Sequence, residues 1–419
     1  MRIAVIGSGI AGLVAGHRLG VCGHEITLFE KLPGIGMDAH AATLEIDGHT
    51  VRADVPSRMF NSGLWPRLTQ LYRELGVETV AIDTSQSLCD AGRDCYLRSP
   101  NTLAPPDPAT TWIREDMRGI WADAQRLRRQ AFRPRLGMSR HLTLETWLAK
   151  RKFSSEFIDG LLFPTLASTV CTCSFQGLKN YPVHIVLETL RAMAGAAELR
   201  RTRSGTKDVV QRLTRSLHEV CLQTEVTFLR QDDQTVKLGS GRHDHSFDHV
   251  IVATQANTAL EQFGWLTEQE RMALESFDYE TIPVVIHRDE SLMPVDREVW
   301  STFNMLPAPC HQTAMCTVWL NRFHHDWPET APVFQTINAF ASIEASSVLA
   351  SIQLQRPVVN ERSLNGQKRL RQLHRDPERR IWFCGSYAGT GTPLLESAVE
   401  SADHIVSAIE ALSQIATTR

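Results

Sequence analysis

The first thirty residues constrain this chain more than any other stretch. Arg2-Ile-Ala-Val-Ile6 is a short apolar, β-branched run, the pattern of a strand covered on both faces in a parallel sheet. Gly7-Ser8-Gly9-Ile10-Ala11-Gly12 follows at once, and Leu13 to Leu19 reads as helix. In such a strand–loop–helix, Gly7 permits the tight turn and Gly9 leaves room for a pyrophosphate beside the backbone. Gly12 lets the helix pack close to the strand. The helix N-terminus turns free N–H groups and a positive dipole end toward the phosphates. A second strand-like run, Glu25-Ile-Thr-Leu-Phe29, ends in Glu30, 18 residues after Gly12. A carboxylate there binds ribose hydroxyls and repels a 2′-phosphate, so the motif points to a dinucleotide other than NADP.

The far end of the chain repeats the pattern. Arg380-Ile-Trp-Phe-Cys384 reads as a strand, Gly385-Ser386-Tyr387-Ala-Gly389-Thr-Gly391-Thr-Pro393 as a glycine-rich loop, and Glu396 through Ile409 as a helix. A helix N-terminus delivered there can donate backbone N–H groups to the pyrimidine edge of a flavin. That favours FAD over NAD as the dinucleotide.

The bulk properties narrow the class. A chain of 419 residues exceeds what one core usually serves, so two domains are expected. A formal net charge of −3 gives no global reason to expect nucleic acid. No apolar run reaches the ~18 residues of a membrane span. MRIAVIG enters a strand directly, without a signal-peptide pattern. The nine cysteines are scattered, which fits reduced thiols in a cytoplasmic protein better than a disulfide framework. Cys171-Thr-Cys173 is too tight for ordinary zinc spacing. The run Arg242-His-Asp-His-Ser-Phe-Asp-His249 alternates at strand spacing and reads as an exposed edge rather than a metal site. No metal is expected.

Further motifs give a family resemblance. They are Phe60-Asn61 through Leu75-Gly76-Val77, Ser291-Leu-Met-Pro294 with Val299-Trp-Ser301, Trp319-Leu-Asn-Arg322 and Trp382-Phe-Cys-Gly-Ser-Tyr387. With these the chain resembles, over nearly its whole length, the flavin-containing amine oxidase superfamily, which includes phytoene desaturases and protoporphyrinogen oxidase. Within it, the likeness is greatest to a bacterial group of NAD/FAD-binding oxidoreductases. The resemblance implies FAD, with the adenine half at Gly7, Ser8, Gly9, Ala11, Gly12 and Glu30. It extends the cofactor contacts to Lys31, Gly36, Met37, Val226 and Ala253, and sets the flavin ring near Gly385, Ser386 and Leu395. It also implies that Asp248 to Thr254 closes the sheet.

Departures from the family pattern are equally specific. The paired glycine after the ribose acid is Ile35-Gly36, the Asp-Gly turn is Asp54-Val55-Pro56, and Ser386 replaces a frequent acidic residue. Ser401-Ala402 replaces the terminal Ser-Gly, and Pro393-Leu-Leu395 stands where close relatives carry a His-Glu-Asp turn. The expected fold is α/β: a discontinuous Rossmann-like FAD/NAD(P)-binding domain with an inserted α+β substrate domain. The cofactor domain takes residues 1–95, 200–265 and 356–419, and the substrate domain 96–199 and 266–355. Helices are expected at Thr111–Phe132, Leu144–Lys150, Ser155–Thr165 and Val183–Ala197.

Two absences bear on the reaction. Many amine oxidases keep a lysine near the flavin, yet no lysine occurs between Lys237 and Lys368. Many also place an aromatic residue two positions before the glutamate matching Glu396; here it is Leu394. The expected activity is therefore dehydrogenation of a hydrophobic small molecule, acyl-type in character, by hydride transfer to FAD. The alternatives are an amine or amino-acid oxidase, a flavin-dependent double-bond isomerase, and a cofactor-binding protein without turnover. Tyr387, in the flavin loop, and Arg58, in the altered turn, are the candidate catalytic residues. Residues 114–140 hold eight arginines and three acids. This is either a solvated helix face or a docking surface for an acyl carrier protein or another anionic surface.

Overall fold

A computed structural model describes residues 1–100, 109–133, 139–194, 198–232, 234–241, 243–308, 312–328 and 330–417. Two sheets organise it. The first is parallel throughout, with strands in the order Glu219–Cys221, Glu25–Phe29, Arg2–Ile6, His249–Val252 and Ile381–Phe383. Its central strand is Arg2–Ile6, in which Ile3 lies opposite both Ile26 and His249. Ile3 and Val5 face a core shared with the helices Ile10–Val21, Gly205–Thr214 and Leu395–Thr417. Ala4 and Ile6 face the other way, onto an antiparallel sheet of Val226–Gln231, Val236–Ser240 and His243–Phe247. Burial on both faces is why this strand carries no polar alternation.

Both chain ends meet in this unit. Helix Ile10–Val21 packs along the C-terminal helix Leu395–Thr417, and the ion pair Arg18–Asp403 (3.2 Å) and a hydrogen bond between His24 and Glu410 (2.6 Å) stitch the two. His245 of the histidine-rich run sits edge-on to the Phe29 ring, 5.6 Å between centroids. Arg242 and the side chain of His243 lie outside the described residues. Among the described residues no group of three or more His, Cys, Asp or Glu could hold a metal ion. No described helix is long and apolar enough to cross a membrane.

The second sheet has the order Val348–Pro357, Tyr279–His287, Phe334–Ile337, Ala314–Trp319, Phe303–Pro307, Gln86–Cys89, Cys95–Ser99 and Trp112–Ile113. Its pairings are antiparallel except that of Phe303–Pro307 with Gln86–Cys89. The sequence reading carried the first cofactor segment to residue 95, but the chain changes sheets before Gln86. Gln86–Cys89 is buried along its whole length and paired on both edges, so its residues carry no pattern that assigns it to either sheet. Similarly, the helix expected from Thr111 begins at Gly119. Trp112 and Ile113 instead pair with Arg98 and Leu97. The segment 155–165 runs as Ser155–Phe157, a π-helical turn at Ile158–Leu162 and Phe163–Ser168. The helix from Val183 is described as far as Ala194; residues 195–197 lie outside the described set.

Candidate active site

Ser8 and Glu30 are both buried, and they organise the turn after the first strand. Glu30 Oε2 accepts from Ser8 N (3.0 Å) and Ser8 Oγ (2.5 Å), while Oε1 accepts from Leu32 N (2.9 Å). Gly36 N in turn donates to Ser8 Oγ at 2.7 Å. The glycine loop, the end of the second strand and the Ile35-Gly36 turn are thereby one hydrogen-bonded unit. Gly36 has φ +46°, and a Cβ there would lie 1.7 Å from Ser8 O. A Cβ on Gly12 would lie 2.2 Å from Gly7 O. Both positions admit only glycine.

The loop fits a dinucleotide. A Cβ at Gly9 would meet nothing within 4 Å, and the helix that begins at Ile10 has neither a side-chain cap nor an acidic residue in its first turn. Open space in front of an uncapped helix N-terminus is what a pyrophosphate requires. A carboxylate offers roughly four lone-pair sites. Glu30 uses three of them internally, which leaves one for a ligand hydroxyl.

The remaining expected cofactor positions are distributed around this unit. Ala253 N donates to Ile6 O (2.8 Å), which sets Ala253 against the glycine loop, and Met37 is buried beneath it. Lys31 is exposed. Val226 begins the antiparallel sheet, and its carbonyl accepts from Gln262 Nε2 (3.0 Å).

At the other end, Gly385 N donates to Ser401 Oγ (3.0 Å), and that hydroxyl donates to Gly385 O (2.9 Å). Gln367 Nε2 donates to Tyr387 O (3.1 Å) and Gly389 O (2.6 Å). Ser397 Oγ donates to Thr390 O (2.8 Å). The glycine-rich loop is thus wrapped over the first turn of the C-terminal helix, with Ser386 and Leu395 both partly exposed. Glu396 caps a neighbouring helix, accepting from Arg67 N and Leu68 N (3.0 Å each); burial raises its pKa.

A cavity of about 80 Å³ lies on one face of the eight-stranded sheet. Its walls come from Pro56, Ser57 and Met59 of the altered turn, Ser168, Thr169 and Thr172 after a helix, and strand residues including Ile282, Val284, Leu354 and Ile337. Three lining polar atoms, Ser57 Oγ, Ser168 Oγ and Gln335 Nε2, are buried without a hydrogen-bond partner, as is Arg58 Nη1 next door. Buried polar groups are ordinarily satisfied, and three orphans among the described lining residues make this cavity a candidate ligand site.

The two candidate catalytic residues lie in different places. Arg58 sits between cavity-lining Ser57 and Met59, near Asp54, Tyr72 and Asp38. Tyr387 is buried on the side of the parallel sheet that faces Val226 and Leu229, 4.9 Å from Phe277 between ring centroids, and its hydroxyl has no partner among the described residues. Sequence reasoning missed Arg356, Gln335 and Thr172. The only local signal was a charged residue in phase with Ile352 and Leu354 on an alternating strand. Two of the motifs that carried the family resemblance brace the second sheet. Trp300 Nε1 donates to Pro294 O (2.8 Å), and Asn321 accepts from Val333 N (2.7 Å) and holds Pro328 O and Ala331 O.

Residues 5–75 match the family of NAD(P)-binding Rossmann-like domains. No curated protein matches the sequence. Among solved structures, the chain is similar to an oxidoreductase from Methanosarcina mazei, at 14% identity and TM-score 0.68, over 97% of this chain and 100% of that one. It is similar to cyclohexylamine oxidase from Brevibacterium oxydans IH-35A, at 15% identity and TM-score 0.61, over 99% of each chain. It is also similar to a CLA-producing fatty acid isomerase from P. acnes, at 14% identity and TM-score 0.64, over 97% of this chain and 98% of that one. At these identities the likeness is one of fold, and it extends across both sheets. The Rossmann-like unit and the whole-chain architecture expected from the sequence are borne out.

Proposed function

We propose that this protein is an FAD-dependent oxidoreductase that dehydrogenates a hydrophobic small molecule of acyl character. The observation that carries this reading is the wall of the cavity. Ile282, Val284, Phe303, Val318, Phe323 and Leu354 give it an apolar lining, and no strand from Tyr279 to Pro357 carries a lysine. A bound flavin supplies hydride acceptance, the difficult part of the chemistry. The chain's own residues hold the cofactor, orient the substrate and keep water from the reacting carbon. Gly7, Gly9, Gly12 and Glu30 would hold the adenine half, and the Gly385–Pro393 loop the flavin end. Leu394 is partly exposed, where an amine oxidase would present an aromatic wall. An amine or amino-acid oxidase is therefore the weaker reading, as is a cofactor-binding protein without turnover.

Double-bond isomerisation is the second reading, favoured by the shared fold with a fatty acid isomerase and by the same apolar lining. The reading also includes a cytoplasmic setting, in keeping with the eight described cysteines, all free thiols. An anionic partner such as an acyl carrier protein belongs to it too. Arg114, Arg118 and Arg126 have acidic partners. Arg128, Arg129 and Arg133 are exposed beside Phe132, which is itself 50% exposed. Residues 134–138 of that stretch lie outside the described set.

The test begins with the visible spectrum of the purified protein, then anaerobic mixing with unsaturated or acyl compounds and with amines. Bleaching of a flavin band by the former supports dehydrogenation. Double-bond migration without net oxidation would assign the isomerase. Bleaching by amines alone, or a protein that cannot be loaded with FAD, would refute the proposal.

A further inference from the structure

We propose that the cavity recognises a carboxylate, and that its natural ligand is a free aliphatic acid whose head group pairs with Arg356. This rests on the oxidoreductase reading and names the substrate class of the same site.

Strand Val348–Pro357 alternates in exposure, so that Ala350, Ile352, Leu354 and Arg356 share the less exposed face. Leu354 and Arg356 both line the cavity. A strand's period of two thus puts a guanidinium at the end of an apolar row. The one hydrogen bond Arg356 makes among the described residues is from Nη2 to Thr172 Oγ1, at 3.3 Å. No carboxylate among the described residues pairs with it. Glu280 stands opposite Arg356 in the ladder, but its two oxygens accept from Ser174 N (2.6 Å) and Ser174 Oγ (2.8 Å).

Arg58 lies next to the cavity-lining Ser57. Asp54, its nearest source of negative charge, accepts from Thr206 Oγ1 (2.7 Å) and Thr206 N (3.1 Å). Asp38 is paired with Arg52 at 2.8 Å. Burial first, and the charge of Arg58 next, lower the pKa of Arg356. A guanidinium at the cavity wall with no carboxylate partner among the described residues, as Arg356 is, is costly unless an anion joins it.

The other polar atoms at the cavity agree. Gln335 Oε1 accepts from Ser57 N at 3.1 Å, which fixes the amide and leaves Nε2 without a partner. The amide, the guanidinium of Arg356 and the hydroxyls of Ser57 and Ser168 present donors. A carboxylate accepts and never donates, so it satisfies this set. An ammonium would meet a cation and a row of donors. The apolar remainder of the wall suits a hydrocarbon segment, and a volume of about 80 Å³ admits a short one.

The experiment measures equilibrium binding of hexanoate, hexylamine, hexan-1-ol and methyl hexanoate to the purified flavoprotein by calorimetry. Hexanoate is expected to bind about tenfold or more tightly than the other three, one decade of affinity being about 1.4 kcal/mol. Arg356→Gln is expected to remove that preference, and Arg356→Lys to restore part of it. Equal or tighter binding of the amine, the alcohol or the ester would overturn the proposal. So would an Arg356→Gln protein that keeps the hexanoate preference. If Arg356→Gln fails to fold, the ligand series on the unaltered protein still decides. Failure to load the protein with FAD would refute the oxidoreductase reading alone, because the order of ligand affinities is read independently of it.

Discussion

Glu30→Gln tests whether the bracket around the glycine loop is built as the hydrogen bonds suggest. The carboxylate accepts three donors through two oxygens: Ser8 N and Ser8 Oγ on one, Leu32 N on the other. A glutamine side chain has one oxygen and one NH₂ group. Whichever way it flips, a donor faces a donor. With the oxygen toward Ser8, the Leu32 N–H loses its acceptor; with the oxygen toward Leu32, both Ser8 donors do. Glu30 is 8% exposed, so water cannot readily replace the lost acceptor. One buried unsatisfied donor costs about 1–3 kcal/mol, and the better flip orphans one. The loss is local, and a chain of this size need not unfold in a single step. Amide hydrogen exchange across residues 5–36 is therefore the appropriate assay. At about 1–3 kcal/mol, exchange of the Leu32 amide in Glu30→Gln should accelerate by roughly 5-fold to 150-fold. On the proposal that Glu30 is the ribose acceptor, FAD affinity should fall as well, because that acceptor would have lost its charge. Unchanged exchange at Leu32 together with unchanged FAD affinity would refute the reasoning.

Three further outcomes are expected. Gly12→Ala places a Cβ 2.2 Å from Gly7 O, so the protein should purify without flavin or not fold, which absorbance and circular dichroism would show. Burial lowers the pKa of His287 to about 4 from its ordinary 6.5, with its Nε2 at 2.7 Å from Thr336 Oγ1. The unfolded chain therefore binds the extra proton first, and stability should be lost as pH falls from about 6.5 to about 4, by up to roughly 3 kcal/mol from this residue. Denaturation midpoints across that range should flatten in His287→Gln. Tyr387→Phe removes a buried hydroxyl without a partner among the described residues, so stability should hold or rise by up to about 1 kcal/mol. Turnover should be unchanged in that variant, and a tenfold loss of kcat at unchanged melting temperature would give the phenol a part in catalysis.

Much of the cofactor unit could be read from residues near one another in the chain. Gly7 to Gly12 and Glu30 lie within one strand–loop–helix–strand, and each glycine there answers a local demand of the backbone. The role of Ser8 as the hub joining Glu30 to Gly36 was out of reach. It depends on a turn that brings residue 36 back over residue 8. The place of Gln86–Cys89 in the eight-stranded sheet was not legible, because a short run buried on both faces carries no alternation to show which sheet it joins.

The sequence by itself determined the dinucleotide fold and the pairing of the two chain ends, because glycine spacing and strand–helix order are local and steric. Only the tertiary structure decided what the cavity presents. Ser57, Thr172, Gln335 and Arg356 come from four distant segments, and no spacing rule connects them. Alternation showed that Arg356 shares a face with Leu354, but which face is inward depends on what packs against the sheet. The charge of a lone arginine acquires meaning only when its surroundings are known. Here Glu280, the carboxylate opposite it, is already held by Ser174.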